Sequence, residues 1–257
     1  MTLKLLSWNI DGLDKRDLEE RTESVCNFIL VKRPHVVYLQ EVVNESWGPV
    51  IVTKLGQFYD CFCSPDPPDR YYNAIIVLKD DVKVVGGGLK VHDFRSRMGR
   101  HLLQLPVQFC GVDLNVMTSH LESMKDFADE RVRQLRVVFE KMTELQKSNR
   151  ISIFGGDLNV RDAELKRAHV PDKVVDVWEA CGMQKEHKFS WDVSVNDNLD
   201  WPYPNRPKLR FDRIYLSPYD GALQPTTFEL VGKERLTKCG RFPSDHWGLW
   251  MEFKLRQ

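Results

Sequence analysis

Three acids, two amides and a histidine stand where short apolar runs end in this chain: Glu41, Asp157, Asp245, Asn9, Asn159 and His246. Such groups could hold a hard divalent cation and cleave a phosphate ester. In GGDLN, Asp157 and Asn159 lie two residues apart, so in extended chain both side chains face one way. Gly155 and Gly156 would let the backbone turn sharply after a buried strand. A carboxylate there could take a proton from an attacking water, and the amide could hold a phosphate oxygen. Glu41, in VVYLQEV, offers an oxygen suited to Mg²⁺, which keeps several waters and takes only one or two protein carboxylates. Asn9 either closes an Asx turn or orients Glu41 or a metal-bound water. Adjacent side chains normally point apart, so Asp245 is expected at the metal and His246, as imidazolium, at the phosphate. A third group should hold that ring, and Asp212 in RFDRIYLS is the candidate. His120 and Ser123 in TSHLES could add donors to the phosphate, although Ser123 could equally cap the following helix. Arg161 follows Asn159 by two; Lys125 and Arg100 are isolated cations of the kind that usually stay solvated.

The elements that must position these groups read from pattern. Leu3–Leu6, Val36–Leu39, Ala74–Leu78, Leu102–Val107, Leu114–Thr118, Ile151–Phe154, Arg213–Leu216 and Leu249–Phe253 read as strands. Helical spacing covers Leu18–Lys32, stopped by Pro34, and Ala128–Leu145. Loop signals cluster at SPDPPDR (64–70), Gly86–Gly88 and Asp192–Lys208. With no linker or repeat, the chain reads as a single α/β domain over 1–257, two packed sheets in preference to a barrel of parallel strands. Met1 leads straight into a core-like run, which fits a longer protein that has been shortened.

Hydrophobic residues make up 42% and charged residues 29%, the balance of a soluble chain with a sizeable core. Lys plus Arg equal Asp plus Glu at 37 each, so a nucleic-acid partner would need a local basic patch. None of the six cysteines forms a CxxC pair, which disfavours zinc and predicts a reduced, intracellular protein whose cysteines mostly pack. Neither a secretory signal nor a run near the ~20 apolar residues of a membrane span is visible.

The ordered motifs WN, QE, SH, GDLN and SDH, from position 8 to 246, resemble the exonuclease–endonuclease–phosphatase superfamily. That resemblance implies a DNase I-like four-layer α/β sandwich, two facing β-sheets flanked by helices. Longer runs, WNIDGLD (8–14), ERVRQL (130–135), GDLNVRD (156–162) and CGRFPSDHWGL (239–249), look like its tyrosyl-DNA phosphodiesterase 2 branch. By resemblance, the substrate would be a DNA 5′ end joined through phosphate to a tyrosine left by topoisomerase II, processed in double-strand break repair. Mg²⁺, or Mn²⁺ in its place, would sit on Glu41 and Asp245. Asn9, His120, Asp157, Asn159 and His246 would contact phosphate, with Ser123 nearby. Trp191 would touch DNA, Leu199 and Trp201 would wall the terminal nucleotides, and Tyr71 would lie near the substrate, its register blurred by Tyr72. Lys125, where the family can carry Arg, and Arg161 would complete the DNA contacts. The branch further implies a monomer in the nucleus, with a cytoplasmic fraction as an alternative. An abasic-site endonuclease or a lipid or inositol phosphatase of the same superfamily is the rival enzyme, and a degenerate binding module the non-enzymatic one.

Overall fold

The computed structural model describes residues 1–64 and 71–256, so the expected 64–70 loop lies, Ser64 apart, outside the described residues. Two strand–helix–strand crossovers organise the chain. The first runs from β1 (Thr2–Asn9) through the Leu18–Lys32 helix to β2 (Val36–Val42), and β1 and β2 pair in parallel. Next come β3 (Tyr59–Cys63), β4 (Tyr72–Leu78), β5 (Val82–Val84), β6 (Lys90–Asp93) and β7 (His101–Phe109). The second crossover runs from β8 (Val112–Thr118) through the Ala128–Lys147 helix to β9 (Ile151–Asp157), again a parallel pair. The chain ends with β10 (Val175–Asp176), β11 (Trp191–Asp192), β12 (Lys208–Leu209), β13 (Asp212–Ser217), β14 (Leu223–Val231) and β15 (Gly248–Leu255). Pairing orders one sheet β14-β15-β1-β2-β4-β3 and the other β10-β13-β9-β8-β7-β5, with β6 also on β7. β11 and β12 form a separate ribbon.

Side chains alternate across each strand, so a strand buried on both faces reads as a continuous apolar run. Leu3, Leu5, Val36, Ile75 and Val77 of the first sheet face Leu103, Leu105, Val116, Ile153 and Ile214 of the second. On the outside of the first sheet, Leu6, Trp8, Val37 and Leu39 pack on Val25, Cys26 and Ile29 of the first helix. On the outside of the second, Met117, Phe154 and Tyr215 pack on Val132, Leu135, Val138 and Met142. The result is the expected helix–sheet–sheet–helix sandwich. All eight expected strands form, and the second helix runs on to Lys147. β14 was hidden because it is an edge strand that carries Pro225, and its register shifts between Pro225 and Thr227. Arg33, at φ 47°, ends the first helix just ahead of Pro34, its N–H donating to the Ile29 carbonyl.

Polar side chains also join the two sheets. The Tyr38 hydroxyl, on β2, donates to the Ile153 carbonyl at 2.8 Å and accepts the Met117 N–H at 3.0 Å. It thus bonds the main chains of β8 and β9 from the opposite sheet. Gln40 Nε2 adds a bond to Thr118 Oγ1 at 3.1 Å. Both parallel pairs end at this edge, and the polar groups singled out above follow those ends. A crevice outside the carboxyl ends of parallel strands is where α/β sheets place ligands.

Candidate active site

Asp157, the last residue of β9, is the hub. Its Oδ2 accepts the Asn9 amide at 3.0 Å, stands 3.3 Å from His120 Nε2 and 3.7 Å from His246 Nε2. Its Oδ1 accepts the Asn159 N–H at 3.0 Å. That bond closes a turn, with Asn159 at φ 52°, so the extended run expected for Asp157–Asn159 does not exist. Asn159 still faces the site, its Nδ2 3.0 Å from His120 Nε2. Nor do the glycines make the turn, since both lie inside β9. A Cβ on Gly155 would come within 2.3 Å of the Arg213 carbonyl, and one on Gly156 (φ 140°) within 2.2 Å of the Ser119 carbonyl. Their smallness lets neighbouring chain lie against the strand that carries Asp157.

Glu41 sits where the β2–β4 register breaks between Leu39 and Val42, at φ 55°. A non-glycine residue in this region is strained, and a bulge of this kind re-aims a side chain. Glu41 Oε1 accepts Asn9 Nδ2 at 3.2 Å, so the Asn9 amide bridges Glu41 and Asp157. Asn9 also closes an Asx turn through its Oδ1, which accepts the Asp11 N–H at 3.0 Å. The Asx turn and the contact with Glu41 are therefore both present.

His246 Nδ1 lies 2.8 Å from Asp212 Oδ2, deep in the protein. Burial opposes a charged ring, but Asp212, Asp245 and Asp157 override it and hold His246 well above the usual imidazole range. It is a cation held by an acid on the adjacent sheet. His120 is the reverse case: burial, with Arg100 beside it, pushes it down to about 3, so the ring is neutral. Arg100, only 4% exposed, donates to Ser123 Oγ at 2.9 Å and lies 5.0 Å from the Tyr71 ring centre. Tyr71 in turn sits 5.7 Å from His120, whereas Tyr72 is buried in β4. The structure therefore separates the two tyrosines, and Arg100 stands closer to the site than an isolated cation would. Ser123 caps no helix, since Phe127 occupies the N-cap position without a side-chain bond.

Among the DNA-contact candidates the placement is uneven. Trp191 is buried, its indole N–H 3.2 Å from Asp245 Oδ2, and its ring touches Trp201 and Phe211. Trp201 donates to the Asn205 carbonyl at 2.7 Å, and Leu199 is exposed beside it in sequence. Arg161 lies over Phe211, its Nη1 3.4 Å from the Asn159 carbonyl and 3.6 Å from Glu164 Oε1. Lys125 is exposed, and among the described residues nothing ties it to the site. A groove of about 460 Å³ around Trp178 is lined by Lys166, Lys188, Arg210 and Arg213 together with Asp162 and Glu179, and its two arginines are paired, Arg210 with Asp176 and Arg213 with Asp162. Of the cysteines, Cys110 is exposed and unbonded instead of packed.

Asp11 was missed. Burial and the charges of Asp245 and Glu41 push its carboxyl up to about 8, against the pull of Arg21. Burial and Asp245 likewise lift Glu41 to about 7. Carboxyls raised in this way by burial and by the negative charge around them are short of a positive charge, and their donors are the hard oxygens a divalent cation takes. One oxygen of Glu41 is tied to Asn9 and one of Asp245 to Trp191, leaving the other oxygen of each for an ion. Side-chain atoms also cluster within 4.8 Å as Glu41–His120–Asp157 and Asp157–Asp212–His246. The second holds an imidazolium, which repels a cation. The signal for Asp11 was its place two residues after Asn9, masked because an isolated Asp after a strand reads as a turn.

Residues 6–246 match the Endonuclease/Exonuclease/phosphatase family model. The chain is 40% identical over 255 residues to the Gallus gallus "Tyrosyl-DNA phosphodiesterase 2", covering 98% of this chain and 67% of that protein. It is 40% identical over 249 residues to the Homo sapiens protein of the same name, covering 95% and 66%. It thus spans about two thirds of the length of these relatives. Among solved structures, Danio rerio TDP2 complexed with single strand DNA product superposes with a TM-score of 0.91 at 38% identity, over 98% of this chain and 99% of that one. TDP2 from C. elegans gives 0.90 at 36%, over 99% and 75%.

Proposed function

The chain belongs to the Endonuclease/Exonuclease/phosphatase family and, within it, to the tyrosyl-DNA phosphodiesterase 2 group, and from that premise we propose that it hydrolyses the phosphodiester joining a tyrosine to a DNA 5′ end. The observation that carries the reading is the convergence on Asp157 Oδ2 of Asn9 at 3.0 Å, His120 at 3.3 Å and His246 at 3.7 Å. A proton acceptor, a neutral donor array and a buried cation stand within one phosphate's reach.

Asp157 takes the proton of a water that attacks phosphorus in line with the tyrosyl oxygen. Its orientation is set by Asn9 and by the Asn159 N–H, so no rotation is needed during the reaction. The His246 imidazolium faces charge growing on the phosphoryl oxygens, with Asp212 keeping the ring charged and turned. Asn159 and the neutral His120 bind the remaining oxygens. A phenolate leaves readily, since phenol titrates at about 10, so no general acid is required. Mg²⁺, with Mn²⁺ able to replace it, would be held by Glu41 and Asp245 and would act there as a Lewis acid. Products are a 5′-phosphate and a tyrosyl peptide.

The wider assignment is a monomeric nuclear enzyme, a single domain over 1–257, that clears peptide remnants of topoisomerase II from broken DNA. Its support is the likeness to relatives named for tyrosyl-DNA cleavage. The test is release of tyrosine from a 5′-phosphotyrosyl oligonucleotide with Mg²⁺, run beside an abasic-site duplex. Activity should favour the tyrosyl substrate and fall about 10²–10⁴-fold in Asp157→Asn. An inactive wild type, a fully active Asp157→Asn, or preference for the abasic duplex would each refute the proposal.

A further inference from the structure

Arg21 and Arg131 have no exposed surface, and each lies in the first turn of one crossover helix. Arg21 spends its hydrogen bonds on main-chain carbonyls. Its Nη1 donates to Ile10 and Pro243, both at 3.2 Å, its Nη2 to Asp11 at 3.0 Å and Asp14 at 2.6 Å, and its Nε to Arg16 at 3.1 Å. Its nearest carboxylate, Asp11 Oδ2, is 3.6 Å away. The carbonyls belong to two segments: residues 10–16, which leave β1 directly after Asn9, and the residue two before Asp245. These segments deliver Asn9, Asp11 and Asp245, the oxygen-rich half of the site.

Arg131 does the same for the other half. Its Nη1 donates to the carbonyls of Glu122 at 3.0 Å, Ser123 at 3.3 Å and Met124 at 2.5 Å. Its Nε and Nη2 clamp Glu164 in a two-bond fork, both at 2.8 Å. Residues 122–124 leave the second sheet after His120 and carry Ser123, and Met124 is held there at φ 66°. Glu164 opens the Asp162–Ala168 helix and accepts the Arg161 N–H at 3.4 Å, so it fixes the chain just past Asn159. Only a planar fork with five N–H groups can serve so many acceptors at once, and a lysine in either place could serve at most three.

We propose that Arg21 and Arg131 are positioning residues with separate duties: Arg21 sets the geometry of the cation-binding carboxylates, and Arg131 that of the phosphate-binding loop. The division follows the fold, one arginine per parallel strand pair. A role confined to stability would lower the melting temperature of either variant and leave ligand affinities of the folded fraction alike. The roles of the two halves rest on the phosphodiesterase reading, whose own test is turnover by the wild type. The test here is binding and stands without turnover.

Mg²⁺ alone is titrated by calorimetry into Arg21→Lys and Arg131→Lys, and a 5′-phosphorylated oligonucleotide is titrated by fluorescence anisotropy in metal-free buffer. Arg21→Lys should weaken Mg²⁺ binding about 10–100-fold, as loss of a ligand-orienting group does, and leave oligonucleotide affinity within about threefold. Arg131→Lys should do the opposite, and lower turnover at saturating Mg²⁺ about tenfold or more through misplacement of the phosphate contacts. Glu164→Gln and Asp14→Ala loosen the same two segments from their other side, because Asp14 accepts Arg16 and Arg241. They must move the same readouts in the same directions, including where a lysine variant does not fold. Equal losses on both ligands, crossed losses, or wild-type binding in all four variants would overturn the proposal.

Discussion

Asp212 acts through the His246 ring that it holds, and its neutral replacement should slow the reaction by an amount the geometry bounds. At 2.8 Å from His246 Nδ1, its charge attracts the imidazolium by roughly 6 kcal/mol at an effective dielectric constant of about 20. Most of that would not be lost in Asp212→Asn, because Asp157 at 3.7 Å and Asp245 at 4.0 Å still face the ring from Nε2. What goes is the difference between a charge-assisted and a neutral hydrogen bond, about 1–2 kcal/mol. That corresponds to about 5–30-fold in turnover. The same substitution has a pH signature. A histidine whose folded value is raised contributes stability, and here charge, that is complete below the ordinary imidazole range and fades as pH rises through the raised value. Weakening its partner lowers that value, so the alkaline limb of turnover should move about one pH unit lower, the counterpart of ~1.4 kcal/mol. The assay is release of tyrosine from a 5′-phosphotyrosyl oligonucleotide at saturating Mg²⁺ across neutral and alkaline pH. Turnover within twofold of wild type and an unmoved alkaline limb would show that Asp212 does not govern His246.

Glu41, lifted by burial and Asp245 to about 7 from 4.5, binds its proton more tightly folded than unfolded, so it subtracts stability as pH rises through that window. Without metal, the melting temperature of wild type relative to Glu41→Gln should fall from pH 4.5 to about 7, and Mg²⁺ should recover it only in wild type; a flat difference refutes this. Gly156→Ala places a Cβ within 2.2 Å of the Ser119 carbonyl at φ 140°, so thermal unfolding should reveal a loss of at least about 2 kcal/mol. A melting temperature equal to wild type would contradict that contact. Trp201→Ala should raise KM for the oligonucleotide by about 1–3 kcal/mol in binding, roughly 5–150-fold, if bases stack on it. An unchanged KM with a lowered melting temperature would leave Trp201 as the loop anchor that its bond to the Asn205 carbonyl suggests.

Legibility in the sequence tracked how local the physical cause was. The central strands declared themselves because both faces are buried, and β14 did not because one edge and Pro225 broke its pattern. Asp157, His246 and Asp212 were visible as acids and imidazole after apolar runs, each type having few reasons to sit there. What stayed hidden is conformation that no residue type demands: Glu41 at φ 55° in a register break, Asn159 at φ 52°, and Asp11 at φ 51°. Buried arginines were equally opaque, since Arg21 and Arg131 sit among exposed charges on amphipathic helices and differ from them only in the carbonyls they meet.

Tyr38 is one of the bolts between the two sheets, beside Gln40 on Thr118 and Asn9 on Asp157. Stacked apolar faces hold the sheets together through the area they bury, and a bond between fixed atoms adds a point that sets how the sheets lie along each other, where one residue spans about 3.3 Å. A hydroxyl bonded to both Ile153 and Met117 has no second place to go, so shear is the motion it forbids. Asn9 and Glu41 ride on one plate and Asp157 on the other, so a slip of a single residue would separate donors from acceptor while leaving every strand intact. Tyr38→Phe would then keep native secondary structure and loosen the site, with the bonds of Gln40 to Thr118 and of Asn9 to Asp157 left to hold the two sheets in register.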